Sequence, residues 1–589
     1  MDLTFGQYYV FGVVLFLVLA LYREWFNPSL TFFISAVALL LGGILTPAEL
    51  LKGLSNQQII LIFLLVVVTA GIRVIYGANL FAGLFNPNLK PKVFLFRMMA
   101  FVSSISPFLN NTPIVAFMIP YVKDWAQRTG NPASKFLIPL SFATILGGMV
   151  TVIGTSTNLV LNGLIAEYNL PLLGFKDFLF LGLTVTVFGG AYLYFFGYRL
   201  LPSNPNEIDA LRENLKEYIV ETDIAAGSRL TGKSVKDAGL RNLQDVFLVE
   251  IIRDERVISP VSPEEILEQG DSLFFSGNTQ SIYQLIKDDN GLTIPKETIE
   301  ESEDQFNFVE AVIPANSALV GMRIKDSDFR KKFDSSIIAI HRNGKRVPGK
   351  VGEMQISAGD FLLLLSNDNR RNGNHEGDLF FLSVPKKVKE KKSQWTSILG
   401  MACFGVLVAG IVGLFPLFDA CLVILVGLVF FGVLNLTEIR RELDLSLLMI
   451  LVCSLAIGVA LEKSGTADII ARGLIGIGKS FGAIGVLSSL FLVTIILTAL
   501  ITNAAAVSIV FPIAMSISEQ MDISYTPFFV AIAFGASGDF MTPIGYQTNL
   551  MVYGPGGYTF KDFLRVGGPL TAIYTVICIG FISWYYNLI

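Results

Sequence analysis

Long stretches almost free of charge constrain this chain more than any other feature. The windows 8–21, 29–46, 57–72, 177–198, 396–416, 417–437, 444–461 and 566–587 carry hardly an ionised side chain. In hydrocarbon a backbone must satisfy its own N–H and C=O groups, so apolar runs of this kind fold as spanning helices. With 52% hydrophobic and 16% charged residues over 589 positions, the chain reads as a polytopic α-helical membrane protein. Asp2 rather than a basic cluster precedes the first run, which is therefore read as a retained helix. A net charge of −4 argues against a nucleic-acid partner. Cys403, Cys421, Cys453 and Cys578 follow neither metal nor disulfide spacing and read as small core residues. His341 and His375 both fall in the polar middle, which leaves no histidine-based metal site in the membrane part.

Composition shifts near Pro202 and again near Gln394, and the region between is rich in charges and turn residues. This soluble insert repeats at an offset of 89: SRLTG at 228–232 answers SALVG at 317–321, Arg253 answers Arg342, and Gly270-Asp271 answers Gly359-Asp360. Each copy alternates short strands around one short helix, giving a small α+β unit. The expected domains are 1–202, 203–295, 296–393 and 394–589.

The membrane halves also read alike. Each has three apolar spans, then an apolar stretch broken by a polar tip, then an interrupted helix and a last long span. The broken stretches are 94–122, with Asn111 and Pro120, and 486–517, with Asn503 and Pro512. Their arms read as too short or too interrupted to cross, so each stretch is expected to be a re-entrant hairpin. The interruptions are IGTSTNLVLNG at 153–163 and IGYQTNLMVYG at 544–554, with Asn158 lying 47 positions beyond Asn111 and Asn549 lying 46 beyond Asn503. Five crossings per half would give the copies opposite orientation, an inverted repeat. Arg23, Arg73, Lys90, Lys92, Lys123, Arg128, Lys135, Arg199, Arg440, Arg441, Lys561 and Arg565 then gather on the side of the insert, and Lys52, Lys176, Lys463, Arg472 and Lys479 lie opposite. The basic excess makes the insert cytoplasmic, in a plasma (inner) membrane, with both termini external.

Inverted repeats with broken helices suit a secondary transporter whose site lies where the breaks meet. Helix N-termini there favour an anion, while loop carbonyls with Ser, Thr and Asn oxygens suit Na⁺. No phosphate loop, nucleophile-base pair or metal cluster appears, so neither an enzyme nor an organic cofactor is expected. Asp539, five residues before the second Ile-Gly break, is the carboxylate deepest in an apolar segment and a candidate for coupling. The bland alternative for the small polar residues is close helix packing, weakened here by two copies at matched spacing.

NNT at 110–112 with TVIGTSTN at 151–158, and TNA at 502–504 with TPIGYQTN at 542–549, resemble the duplicated signatures of the divalent anion:sodium symporter family. The insert resembles a tandem pair of TrkA-C domains, and with YQTNLMVYGPGGY at 546–558 the whole is similar to the sulfate-permease branch. The resemblance implies a homodimer that carries a small divalent oxyanion, sulfate before dicarboxylate, with Na⁺ by an elevator movement. It implies substrate contacts at Asn110, Asn111, Thr112, Thr155, Ser156, Thr502, Asn503 and Thr548. It implies Na⁺ contacts at Ser106, Asn111, Gly154, Asn158, Asn503, Gly545 and Asn549. Where the family tip ends in Thr, this chain has Ala504, and Tyr546-Gln547 stands where the first copy has Thr155-Ser156, so an asymmetric site is expected. The insert is either a rigid dimerisation module or a sensor for a nucleotide or ion near Arg253, Pro260 and Arg342. A cation channel gated by the insert is the alternative, but no filter-like TVGYG run is found.

Overall fold

The computed structural model describes residues 4–23, 25–26, 28–76, 86, 88–204, 219–225, 227–240, 246–253, 256–258, 261–277, 292–293, 308–314, 317–333, 335–342, 345–347, 351–366, 379–381, 394–436, 439–440 and 445–588. Pro260, His375, Arg441 and the expected boundaries at 295 and 393 lie outside these.

Helices occupy the apolar windows. In the first half they are α1 (Phe5–Tyr22), α2 (Pro28–Leu41), α3 (Pro47–Leu51), α4 (Gln57–Tyr76), α5 (Pro91–Ile105), α6 (Asn111–Arg128), α7 (Leu137–Gly148), α8 (Ser156–Glu167) and α9 (Phe175–Tyr192). In the second half they are α10 (Gln394–Val412), α11 (Leu417–Phe430), α12 (Leu445–Lys463), α13 (Thr466–Gly478), α14 (Gly482–Leu500), α15 (Asn503–Met521), α16 (Tyr525–Ser537), α17 (Gln547–Tyr553) and α18 (Phe560–Tyr585). Among the described residues, five helical stretches are long and apolar enough to cross a membrane. The 26 residues of α18 make a rod of about 39 Å, longer than the roughly 30 Å of hydrocarbon.

Burial sorts these helices by role. Every residue of α7 is buried, and so is α16 from Pro527 onward, so these two form the centre of the bundle. By contrast α11 exposes Leu422, Val423, Val426 and Phe430, an apolar face suited to lipid. Packing of α9 against α18 is fixed by tyrosines near both ends: Tyr192 donates to the carbonyl of Val566 at 2.9 Å, and Tyr586 to Asp177 at 2.8 Å. The two helices therefore run antiparallel.

The arms of the two broken stretches are longer than the apolar pattern suggested. They run 15, 18, 19 and 19 residues, and Asn503–Met521 has the length and composition of a span. The reason is that Pro120 and Pro512 lie inside α6 and α15 instead of ending them. Proline removes one ladder bond, a loss that surrounding protein can absorb.

The insert holds two five-stranded antiparallel sheets. The strands are β1 (Ile219–Ile224), β2 (Val246–Arg253), β3 (Arg256–Ile258), β4 (Ser272–Gly277) and β5 (Leu292–Thr293), then β6 (Phe308–Val312), β7 (Ser335–Arg342), β8 (Lys345–Arg346), β9 (Phe361–Ser366) and β10 (Phe380–Phe381). The first sheet is ordered β3-β2-β4-β1-β5 and the second β8-β7-β9-β6-β10, so equivalent strands hold equivalent places. Even the irregularities repeat: the register shifts between Leu248 and Glu250 and again between Ile337 and Ala339, 89 positions on. The Gly-Asp turns that lead into β4 and β9 both carry glycine at positive φ, +88° at Gly270 and +78° at Gly359.

Among the described residues, the turn of the second copy meets a neighbour and that of the first does not. A Cβ on Gly359 would strike Leu550 of α17, whereas nothing lies within 4 Å of one on Gly270. Phe361, where the first copy has Ser272, is 1% exposed and packs against Gly554 just beyond α17. Lys123, near the end of α6, donates to both carboxylate oxygens of Glu310 on β6 at 2.7 and 2.6 Å and lies 5.3 Å from the Phe361 ring centre. Asn204, at the entrance to the insert, donates to the carbonyls of Gly556 and Gly557.

Candidate functional site

The first break begins where α7 stops at Gly148 and ends at the start of α8. Its freed backbone groups are taken up locally: Thr151 Oγ1 donates to the carbonyl of Pro107 at 2.5 Å and accepts the Gly154 N–H at 3.2 Å. Asn158 Nδ2 donates to the carbonyl of Thr151 at 3.2 Å. Facing the break is the tip between α5 and α6, where the Ser106 hydroxyl lies within hydrogen-bond reach of Asn111 Oδ1 and of the Thr144 carbonyl, at 2.5 and 2.6 Å.

The second half repeats this wiring. Thr498 Oγ1 lies 2.7 Å from Asn503 Oδ1 and 2.8 Å from the Ala536 carbonyl, so Ser106, Asn111 and Thr144 answer Thr498, Asn503 and Ala536 at a shift of 392. Thr542 Oγ1 accepts the Gly545 N–H at 3.2 Å, and Asn549 Nδ2 donates to the Thr542 carbonyl at 3.1 Å. Thr151, Gly154 and Asn158 thus answer Thr542, Gly545 and Asn549 at a shift of 391. Gly154 and Gly545 are required by close approach, since a Cβ would collide with the Gly148 carbonyl at the first and the Asp539 carboxylate at the second. A carbonyl in one copy is therefore replaced by a carboxylate in the other. Asp539 is 2% exposed and accepts from the Thr542 hydroxyl at 2.8 Å.

The copies differ at two further points. Thr155 has the position and residue type of a helix cap, yet caps nothing: its hydroxyl lies 3.2 Å from both Thr157 Oγ1 and the Tyr546 hydroxyl. Asn110, preceding α6, likewise makes no capping bond. The first-turn N–H groups of α6 and α8 are thus left without a side-chain cap, as are those of α17 behind Tyr546, whereas Thr502 caps α15 through the Ala505 N–H, so the copies differ in capping at the tip and not at the break. The second difference is Tyr546, which corresponds to Thr155 at the shift of 391. Its phenol reaches across to the first copy, where Asn111 Nδ2 donates to it at 2.7 Å. Beside it Thr112 Oγ1 donates to Gln547 Oε1 at 3.1 Å.

Ser106, Asn111, Thr112, Gly154, Thr155 and Asn158 are brought together in this way, and Asn503, Gly545 and Asn549 meet in the second copy. Thr548 is not brought to its tip. It accepts from Ser141 of α7 at 2.9 Å, and Ser141 also contacts Asn549 Oδ1 at 2.7 Å, so both fasten α17 to α7. Thr502 is exposed and spent on its cap, and Ser156 is half-buried at the start of α8. Arg253 and Arg342 are engaged inside their own domains. Each makes a two-pronged pair with a fully buried carboxylate, Asp271 at 2.7 and 2.9 Å and Asp360 at 2.7 and 2.8 Å, which raises each guanidinium above its ordinary value. Such pairs hold the Gly-Asp turns. Thr498 was missed by the motifs, although the shift that relates Asn111 to Asn503 carries Ser106 onto it. Ser141 carried no signal, being one serine in an apolar run. Ser537, fully buried and with no hydrogen-bond partner for its hydroxyl among the described residues, lies two residues before Asp539.

Helices of crossing length around a duplicated, buried polar centre make this a membrane protein, and proteins it resembles are named as transporters rather than enzymes. The chain belongs to the citrate transporter family, which it matches over residues 16–510 and 420–589. It is 32% identical over 581 residues to a putative sulfur deprivation response regulator of Chlamydomonas reinhardtii, covering 95% of this chain and 98% of that one. It is 31% identical over 589 residues to an uncharacterized transporter of Synechocystis, covering 96% and 95%. To the probable sodium/sulfate cotransporter 3 of Chlamydomonas reinhardtii it is 24% identical over 787 aligned positions, covering 97% and 87%.

Proposed function

We propose that this protein is a Na⁺-coupled symporter of a divalent oxyanion, with sulfate as the preferred substrate. The observation that carries the reading is the paired tip-and-break wiring, in which Ser106, Asn111, Gly154 and Asn158 are matched by Thr498, Asn503, Gly545 and Asn549. Carbonyl, amide and hydroxyl oxygens at these points suit Na⁺, and Asp539 adds a charge in the second copy. The uncapped starts of α6 and α8 suit the anion, held mainly by the first copy through Asn110, Asn111, Thr112, Thr155 and Ser156. The names of three relatives, sodium/sulfate cotransporters, agree with this substrate pair.

In this reading the halves are inverted copies, and hairpins and broken helices move together as an elevator. Ion pairs support the two-sided arrangement. Lys463 pairs with Glu49 and Lys52 with Glu167, both on the side expected to be external, while Lys123 pairs with the insert. The insert is a cytoplasmic pair of TrkA-C domains, and its second copy, seated on α6 and α17, is the regulatory one. By the family resemblance the protein works as a homodimer in the inner membrane.

Uptake of radiolabelled sulfate into proteoliposomes, with and without an inward Na⁺ gradient, tests the reading. Sulfate uptake is expected to rise with the gradient, and uptake indifferent to Na⁺ would sink the coupling. A second reading, a carboxylate carrier, is favoured by the family's own name; uptake of citrate or succinate in preference to sulfate would establish it.

A further inference from the structure

We propose that Tyr546 is the residue that restricts the site to compact oxyanions. This inference rests on the anion reading above and deepens it. Tyr546 belongs to the second break, yet its hydroxyl is bonded to the first tip through Asn111 at 2.7 Å and faces the first break at Thr155, 3.2 Å away. Thr155, its counterpart, is too short to reach in the other direction. One phenol oxygen thus bridges Asn111 at the start of α6 and Thr155 at the start of α8, two helix starts without side-chain caps. Gln547 closes the same seam one position on, through Thr112.

The consequence is one of size. Donors on the tip and on the break that a single oxygen spans are close enough for neighbouring oxygens of one tetrahedral anion to engage both. Succinate holds its carboxylates apart on a carbon chain, and to bind in the same place it would need the room the phenol ring takes. The ring is 8% exposed and held at its polar end, so it does not swing aside without breaking the Asn111 bond. The hydroxyl is both wall and ligand: it can donate to an oxyanion while accepting from Asn111.

The test uses full-length protein in nanodiscs with Na⁺ present, comparing equilibrium binding of labelled sulfate and labelled succinate. Wild type is expected to favour sulfate. Tyr546→Thr, which installs the first copy's residue, is expected to reduce that preference at least about tenfold by admitting succinate. Tyr546→Phe keeps the ring and is expected to weaken sulfate about tenfold, through loss of the hydroxyl, while gaining no affinity for succinate. A wild type that binds both anions equally overturns the selector together with the sulfate preference, and a Tyr546→Thr variant with an unchanged preference overturns the selector alone; both leave anion symport standing. Binding of neither anion to the wild type overturns selector and symport together.

Discussion

Asn111 is the residue on which most of the first copy converges, because its amide contacts Ser106 on one side and Tyr546 on the other. Asn111→Ala would leave two buried hydroxyls short of a partner, an effect of about 1–3 kcal/mol each. Sulfate uptake in proteoliposomes is expected to fall by more than tenfold, about the factor that 1.4 kcal/mol represents; uptake within twofold of wild type would remove Asn111 from the site. Asp539 invites a different measurement. Asp539→Asn keeps a side chain that can still reach Thr542 but deletes a buried charge, so the Na⁺ concentration for half-maximal uptake is expected to rise about tenfold, with sulfate affinity at saturating Na⁺ changed less. An unchanged Na⁺ dependence would make Asp539 a structural member of the break. At this scale legibility depended on repetition. Asn111, Asn158, Asn503 and Asn549 stood out because they recur, and Thr498 could have been found by the same shift. Ser141 could not, since its meaning lies in an amide 408 positions away.

Among the elements, the insert sheets were the most readable, because an offset of 89 preserves both the alternation of buried residues and the turn glycines. Their buried ion pairs are not readable as such: the sequence shows Arg253 and Arg342 at repeated positions but not that Asp271 and Asp360 lie beneath them. Removing one partner of a pair with a fully buried carboxylate leaves an uncompensated charge, a cost of about 3 kcal/mol. Arg342→Met is therefore expected to speed amide exchange through β9 while sparing β4, and Arg253→Met to do the reverse. Exchange unchanged in both would return the arginines to the list of effector ligands. The hairpin arms were harder, because a proline in an apolar run signals interruption, and its tolerance inside α6 and α15 depends on neighbours that only the packed bundle supplies. The breaks themselves were legible, since glycines beside Ser, Thr and Asn in an apolar run mark backbone that needs polar company at depth.

For the whole molecule, the least predictable result is how the insert meets the membrane part, since nothing in a repeat at a constant offset of 89 says that, among the described residues, the second Gly-Asp turn meets a helix and the first does not. The distinguishing residues are Phe361 in place of Ser272, and a turn at Gly359 that seats against Leu550. Lys123 and Glu310 pin this contact with side chains 13% and 7% exposed, so solvent screens the pair weakly. Helix α6 starts at Asn111 in the tip and ends beyond Lys123, and α17 starts beside Tyr546 and carries Leu550. The docked sheet therefore touches the same two elements that bear the first tip and the second break. Glu310→Lys opposes two cations at the contact and is expected to raise amide exchange at residues 357–361 and 547–553 at least about tenfold. Lys123→Glu is expected to do the same with two carboxylates. The double exchange, Lys123→Glu with Glu310→Lys, recreates an ion pair with its sign reversed and is expected to recover most of the protection, which isolates the pair from any general loss of stability. Exchange that stays at the wild-type level in both single variants would mean that Phe361 and the Gly359 turn hold the contact without the ion pair.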